Sequence, residues 1–167
     1  MELSATPSGT ARYKNRFQDT LDPAHFRRSQ DLWFSSIGIG TYLGEADEAT
    51  DRQSLDAILK TVLSGCNIID TAINYRYQRS ERMIGETLKL LFLKGISRDE
   101  VIISTKGGFL PFDGAAPSDP HAYLEETFFK PGIIKSEDIV AGCHCMTPRY
   151  LEHQLNTSLN NLGLECI

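Results

Sequence analysis

Long apolar runs are missing from this sequence. The most apolar window, Leu88 to Ile96, is interrupted by Lys89 and Lys94, so no segment reads as a membrane span. Met1 to Asn15 is polar and mixed, without the apolar stretch of a secretory signal. Cysteine is sparse: Cys66, Cys143, Cys145 and Cys166 are the four present. With no secretory signal, reduced thiols in the cytoplasm are the expectation. Runs of Lys and Arg are absent too. The 17 basic residues are outnumbered by 22 acidic ones, for a net charge of −5 and a pI near 5.3, which leaves no face for tracking phosphates and argues against nucleic acid. The glycines form no Gly-x-Gly-x-x-Gly turn entering a helix, so a Rossmann reading is poor. Cys143-His144-Cys145 lacks the second ligand pair of a structural zinc site, and no metal is expected.

What is present reads as alternating strands and helices. Apolar residues make up 41% of 167 residues, enough for a core. Residues 1–25 show no periodicity and are expected to be a flexible arm. Phe26 to Phe34, with Ser29-Gln30-Asp31 inside, suggests a small hairpin, and Ser35 to Thr41 a first strand. Leu55, Ile58, Leu59, Val62 and Leu63 recur at helical spacing, with Thr50 and Gln53 as a capping box and Gly65 as the stop. Asn67 to Asp70 reads as a short strand buried on both faces. Ser80 is the expected N-cap of a second helix with Ile84, Leu88 and Leu91 on one face, ended by Gly95. Val101 to Thr105 is the next strand. Thr147 and Pro148 open a third helix whose apolar face is expected at Leu151, Leu155, Leu159 and Leu162, closed by Gly163. Glu165-Cys166-Ile167 reads as the opening of one more strand.

This order implies a parallel α/β sheet. The spacing from Ile68 to Ile102 is that of an ordinary βα repeat; the next spacing, to Ile167, is nearly twice as long. The surplus lies between Gly107 and Met146. Its aromatics and Pro, Gly and Asp clusters suggest an ordered loop with one short helix.

Three polar residues stand at or just beyond expected strand ends: Asp70, Tyr75 and Lys106. In parallel α/β folds those ends form the active face. A tyrosine, with an ordinary pKa of about 10, is a poor acid near neutrality. A neighbouring ammonium favours the phenolate, and a carboxylate keeps that ammonium charged and aimed. The trio makes a proton donor suited to carbonyl reduction. Taken singly, each residue also has an ordinary structural reading: a strand-end Asp capping a loop, a surface Lys, a Tyr packed on the sheet.

Gly38-Ile39-Gly40-Thr41-Tyr42-Leu43-Gly44, Asp70-Thr71-Ala72-Ile73-Asn74-Tyr75 with Ser80-Glu81, Ser104-Thr105-Lys106, and Thr147-Pro148 through Leu164 stand in one order along the chain. Together they resemble the aldo-keto reductases. The resemblance implies a (β/α)8 TIM barrel, of which residues 26–167 would be the N-terminal portion, short of the ~200 residues such a barrel needs. It implies an NADPH-dependent reductase of aldehydes or ketones acting on a small carbonyl substrate. Asp70, Tyr75 and Lys106 would be three of four catalytic residues, with Tyr75 as general acid. Gly40, Thr41, Tyr42 and Asp70 would line the cofactor end of the pocket. The fourth catalytic residue, a histidine after the fourth strand, has no counterpart among His25, His121, His144 and His153. The chain is therefore expected to be a fragment, inactive alone. A binding or regulatory subunit, as the potassium-channel beta subunits are, is the competing class. A self-contained small α/β protein is disfavoured, since three strands and a start leave an apolar edge open.

Overall fold

The computed structural model describes residues 3–167. Its class is α/β. The centre is a three-stranded parallel sheet of β3 (Ile39–Gly40), β4 (Ile68–Asp70) and β5 (Ile102–Ser104), in that spatial order. Ile39 pairs with Ile69 and Gly40 with Asp70, while Asp70 pairs with Ser104 on its other side. The first strand is shorter than the expected Ser35–Thr41, because Ser35 belongs to a preceding hairpin. That hairpin joins β1 (Phe26–Ser29) to β2 (Leu32–Ser35) through Gln30 and Asp31, both at positive φ, as a two-residue turn between twisted strands requires.

The expected arm is instead part of the fold. Pro7–Asn15 is a helix, α1, capped by the Thr6 side chain on the Gly9 N–H. Tyr13 is fully buried and its hydroxyl donates to the Val62 carbonyl. Arg12 and Arg16 both reach the buried carboxylate of Glu100, at 3.2 and 3.0 Å. A carboxylate at zero exposure needs such partners. The helix escaped sequence reading because its anchors are one aromatic and two cations rather than an apolar stripe.

α2 (Glu48–Leu63) and α3 (Arg79–Leu93) cover the sheet. The cap of α2 is Asp47, whose carboxylate accepts from Thr50 N–H at 2.7 Å, one turn before the expected Thr50–Gln53 box. That bond holds the Asp47 carboxyl below its usual range. Ser80 is not a cap either. It lies inside α3 and donates to the Thr41 carbonyl at 2.7 Å, tying the helix to the end of β3. Ile84, Leu88 and Leu91 do form the buried face of α3, each contributing ~1.5–3 kcal/mol by burial.

α5 (Pro148–Leu162) starts and stops where expected, with Gly163 in the left-handed conformation at φ 64°. Its buried stripe differs: Tyr150, Gln154, Ser158 and Leu162 face inward, and Leu155 is 51% exposed. The polar stripe is inward because Tyr150 Oη and Gln154 Nε2 both donate to the Phe109 carbonyl. A Cβ at Gly85 of α3 would stand 2.8 Å from the Asn161 carbonyl oxygen, so α3 and α5 approach as closely as backbone allows.

The segment from Gly107 to Met146 is ordered and carries its own core. It contains α4 (Pro120–Leu124), continued by a wider turn through Phe129, and a hairpin of β6 (Ile139–Val140) and β7 (His144–Cys145). Leu110, Phe128, Ile134, Cys145 and Tyr150 are buried together beneath it. Cys143-His144-Cys145 is part of that hairpin, and no group of metal-ligating side chains occurs among the described residues. Glu165–Ile167 is not a strand; Arg98 Nη2 donates to the Cys166 carbonyl at 3.5 Å instead. No helix among the described residues is long and apolar enough to cross a membrane.

Candidate active site

β4 and β5 deliver Asp70 and Lys106 to the same end of the sheet. Asp70 is the last residue of β4, and Lys106 lies two residues beyond β5. The register that pairs Asp70 with Ser104 lets the longer lysine side chain fold back over the strand end. Lys106 Nζ stands 2.8 Å from Asp70 Oδ2, 2.7 Å from the Thr71 carbonyl oxygen and 3.4 Å from the Tyr75 hydroxyl. Three acceptors thus use up the three hydrogens of the ammonium. Partial burial disfavours the charge, but the hydrogen bonds to Asp70 and Tyr75 and their charges outweigh it, so the Lys106 pKa lies above its ordinary value.

Tyr75 is carried by a tight turn after β4. Its N–H donates to the Ala72 carbonyl at 3.0 Å, and Ile73 N–H donates to the Lys106 carbonyl at 3.2 Å, stitching that turn to the end of β5. The Tyr75 ring meets Tyr42 edge-on, with centroids 5.0 Å apart. The Lys106 and Asp70 side chains are 49% and 45% exposed, so a ligand can reach the pair.

The four residues expected near a cofactor behave differently from one another. Asp70 spends Oδ2 on Lys106. Thr41 is inward-turned: its N–H and Oγ1 both donate to the Asp70 carbonyl at 3.1 Å, which fixes β3 against β4 and leaves its side chain occupied. Gly40 borders open space, and a Cβ there would touch nothing within 4 Å. Tyr42 is 65% exposed. A groove of about 480 Å³ lies beside the trio, with Tyr42, Leu43, Asn74, Tyr77, Phe109 and Phe112 among its walls; Asp70, Tyr75 and Lys106 do not line it.

Two contributions were not foreseen from sequence. The Thr71 carbonyl is a backbone acceptor, invisible to residue-type reasoning. Arg76, with its side chain 2% exposed, is buried among Glu45, Asp47 and Asp51. In sequence it looks like one more surface arginine.

Comparison with known proteins decides the family. The profile of the aldo/keto reductase family matches residues 36–167. The chain belongs to the aldo/keto reductase family. Among curated proteins, an aldo/keto reductase relative is the NADH-specific methylglyoxal reductase of Escherichia coli (strain K12), 35% identical over 85 residues. The match takes in 48% of this chain and spans about a quarter, 24%, of that enzyme's length. Among solved structures, an aldo-keto reductase from Bacillus halodurans in its holo form is similar over 84% of this chain and 37% of its own, at 24% identity and a TM-score of 0.52. An aldo-keto reductase structure from Pseudomonas aeruginosa is similar over 89% of this chain and 46% of its own, at 21% identity and a TM-score of 0.54. At those identities the two structures speak to the fold.

Proposed function

We propose that this aldo/keto reductase chain supplies the proton-donating end of a nicotinamide-dependent carbonyl reductase built on a (β/α)8 barrel. The observation that carries the reading is the ammonium of Lys106 held between the Asp70 carboxylate and the Tyr75 hydroxyl. A reduced nicotinamide, when bound, supplies the hydride to the carbonyl carbon. Tyr75 gives its proton to the carbonyl oxygen, and Lys106 stabilises the phenolate that this leaves. Asp70 keeps Lys106 charged and aimed.

The residues present fit such a cofactor. Gly40 leaves room at the sheet end, and Tyr42 offers an exposed ring beside Tyr75. Among the described residues Asp70 Oδ1 makes no hydrogen bond within the protein, so it remains available to a ligand. NADPH is the cofactor that the family resemblance implies. The E. coli relative is named for NADH, so the test uses both. The groove walled by Tyr42, Tyr77, Phe109 and Phe112 suits a small apolar or aromatic carbonyl compound.

The three-stranded sheet provides one side of the pocket. Hydride transfer requires nicotinamide and carbonyl to be held in register, so residues 1–167 alone are expected to show neither tight NADPH binding nor turnover, and the activity belongs to a closed barrel. The test is reduction of nitrobenzaldehyde and methylglyoxal by the full-length protein, with NADPH and NADH in parallel, beside residues 1–167 alone. Turnover by the full-length protein supports the reading. Tight cofactor binding with no turnover of any aldehyde would favour a binding or regulatory subunit instead.

A further inference from the structure

Directly after Tyr75 the backbone does something costly. Arg76, Tyr77 and Gln78 are three successive non-glycine residues at φ 49°, 56° and 70°. L-residues avoid this region because Cβ crowds the following carbonyl, and such conformations persist where the surroundings over-determine them. Each of the three is held by its own bonds. Tyr77 accepts Gly114 N–H at 2.9 Å on its carbonyl. Gln78 donates to the Phe112 carbonyl at 3.1 Å and accepts from Asn161 at 3.1 Å.

Arg76 makes the link that bears on the site. Its Nε donates to the Glu45 carbonyl at 2.9 Å, and its Nη2 to the Asp47 carbonyl at 3.3 Å and to Asp51 Oδ1 at 2.6 Å. The other Asp51 oxygen accepts from Arg79, so the carboxylate is itself fixed. The loop that Arg76 grips follows Tyr42 and has no apolar anchor: Leu43 is 82% exposed, and Gly44 and Glu45 are exposed as well. Between Tyr42 and Asp47, the residue that caps α2, it is held by the hydrogen bond from Arg76 to the Glu45 carbonyl. A planar guanidinium spreads its donors over separate nitrogens, so Nε takes the Glu45 carbonyl while Nη2 takes the Asp47 carbonyl and the Asp51 carboxylate.

We propose that Arg76 is a positioning residue for Tyr75: locked by Asp51, it fixes the left-handed turn leaving Tyr75 together with the loop leaving Tyr42, so that the proton donor and the ring packed on it keep one geometry. This rests on the reading of Tyr75 as general acid. The bonds of Arg76 touch no reacting atom; they act through Tyr75.

The test is a double-mutant cycle in the full-length protein. Arg76→Met should lower kcat by roughly 10-fold or more, since small misplacements of a reacting group are expensive, with KM for the aldehyde nearly unchanged. In a Tyr75→Phe background the same substitution should lower kcat no further. Asp51→Asn, which keeps the shape and loosens Arg76, should show a smaller loss with the same non-additivity. An unchanged Tyr75→Phe enzyme would overturn the general-acid reading and this proposal together. A damaged Tyr75→Phe enzyme beside an undamaged Arg76→Met enzyme would overturn this proposal alone. So would an equal kcat loss in both backgrounds, or failure of both Arg76→Met and Asp51→Asn to fold, because the contacts would then serve the fold and not the donor.

Discussion

Lys106 and Asp70 meet at 2.8 Å across the ends of two neighbouring parallel strands. The pair raises the Lys106 pKa against the opposing effect of partial burial. A raised lysine pKa means that the charge, and any stability it brings, is complete below the ordinary lysine value and is lost as pH rises through the raised one. Asp70→Asn removes that support. The Lys106 ammonium, followed by NMR of its Nζ, should therefore lose its proton at lower pH in Asp70→Asn than in the wild type. An unchanged or higher Lys106 titration in Asp70→Asn would show that Asp70 does not hold the ammonium.

The aromatic groove makes a prediction about selectivity. Phe112 stacks near Tyr77, with centroids 6.2 Å apart, and edge-on to Tyr123 at 5.4 Å. Its carbonyl holds Gln78, which a side-chain change leaves in place. Phe112→Ala should reduce kcat/KM for nitrobenzaldehyde ~10-fold more than for methylglyoxal, on the scale that apolar pocket contacts discriminate. Affinity for NADPH should not change. Equal losses for both aldehydes would place the substrate elsewhere.

His153 gives the long segment a pH-dependent seam. Its ring meets Phe128 edge-on at 6.0 Å, and burial pushes its pKa below the ordinary value. The folded state therefore prefers neutral imidazole. The stability from this site is present above the ordinary histidine pKa of about 6.5 and is lost as pH falls through it towards the lower folded value. Thermal unfolding followed from neutral to mildly acid pH should show a decline that is shallower in His153→Gln. Parallel curves for the two proteins would remove His153 as the cause.

Much of this was legible in the sequence. Strand ends are marked by Asp70 and Lys106 because buried parallel strands are short apolar runs, and a polar residue at their close is conspicuous. Ile84, Leu88 and Leu91 announce α3 by spacing alone. Two of the misreadings share one physical origin, polar side chains that are paired inside. α1 is fastened by Tyr13 and by Arg12 and Arg16 on Glu100. The inward face of α5 is Tyr150 and Gln154, so the leucine repeat pointed about one residue away from the buried stripe. Periodicity counts apolar residues, and it cannot see a glutamine whose partner is the Phe109 carbonyl more than forty positions earlier. Likewise the turn at Arg76–Gln78 carries no glycine to mark its left-handed backbone.

Tyr75 is the proton donor of the proposed reaction. Tyr75→Phe keeps the ring against Tyr42 and removes the hydroxyl beside Lys106. The decisive measurement is kcat for aldehyde reduction by full-length wild type and Tyr75→Phe, with cofactor affinity taken from nucleotide fluorescence on the same samples. Tyr75→Phe should lose ~10²–10⁴-fold in kcat, the range for removing a positioned general acid, with cofactor affinity nearly intact. A Tyr75→Phe enzyme that keeps more than about a tenth of its turnover, well outside that range, would contradict it.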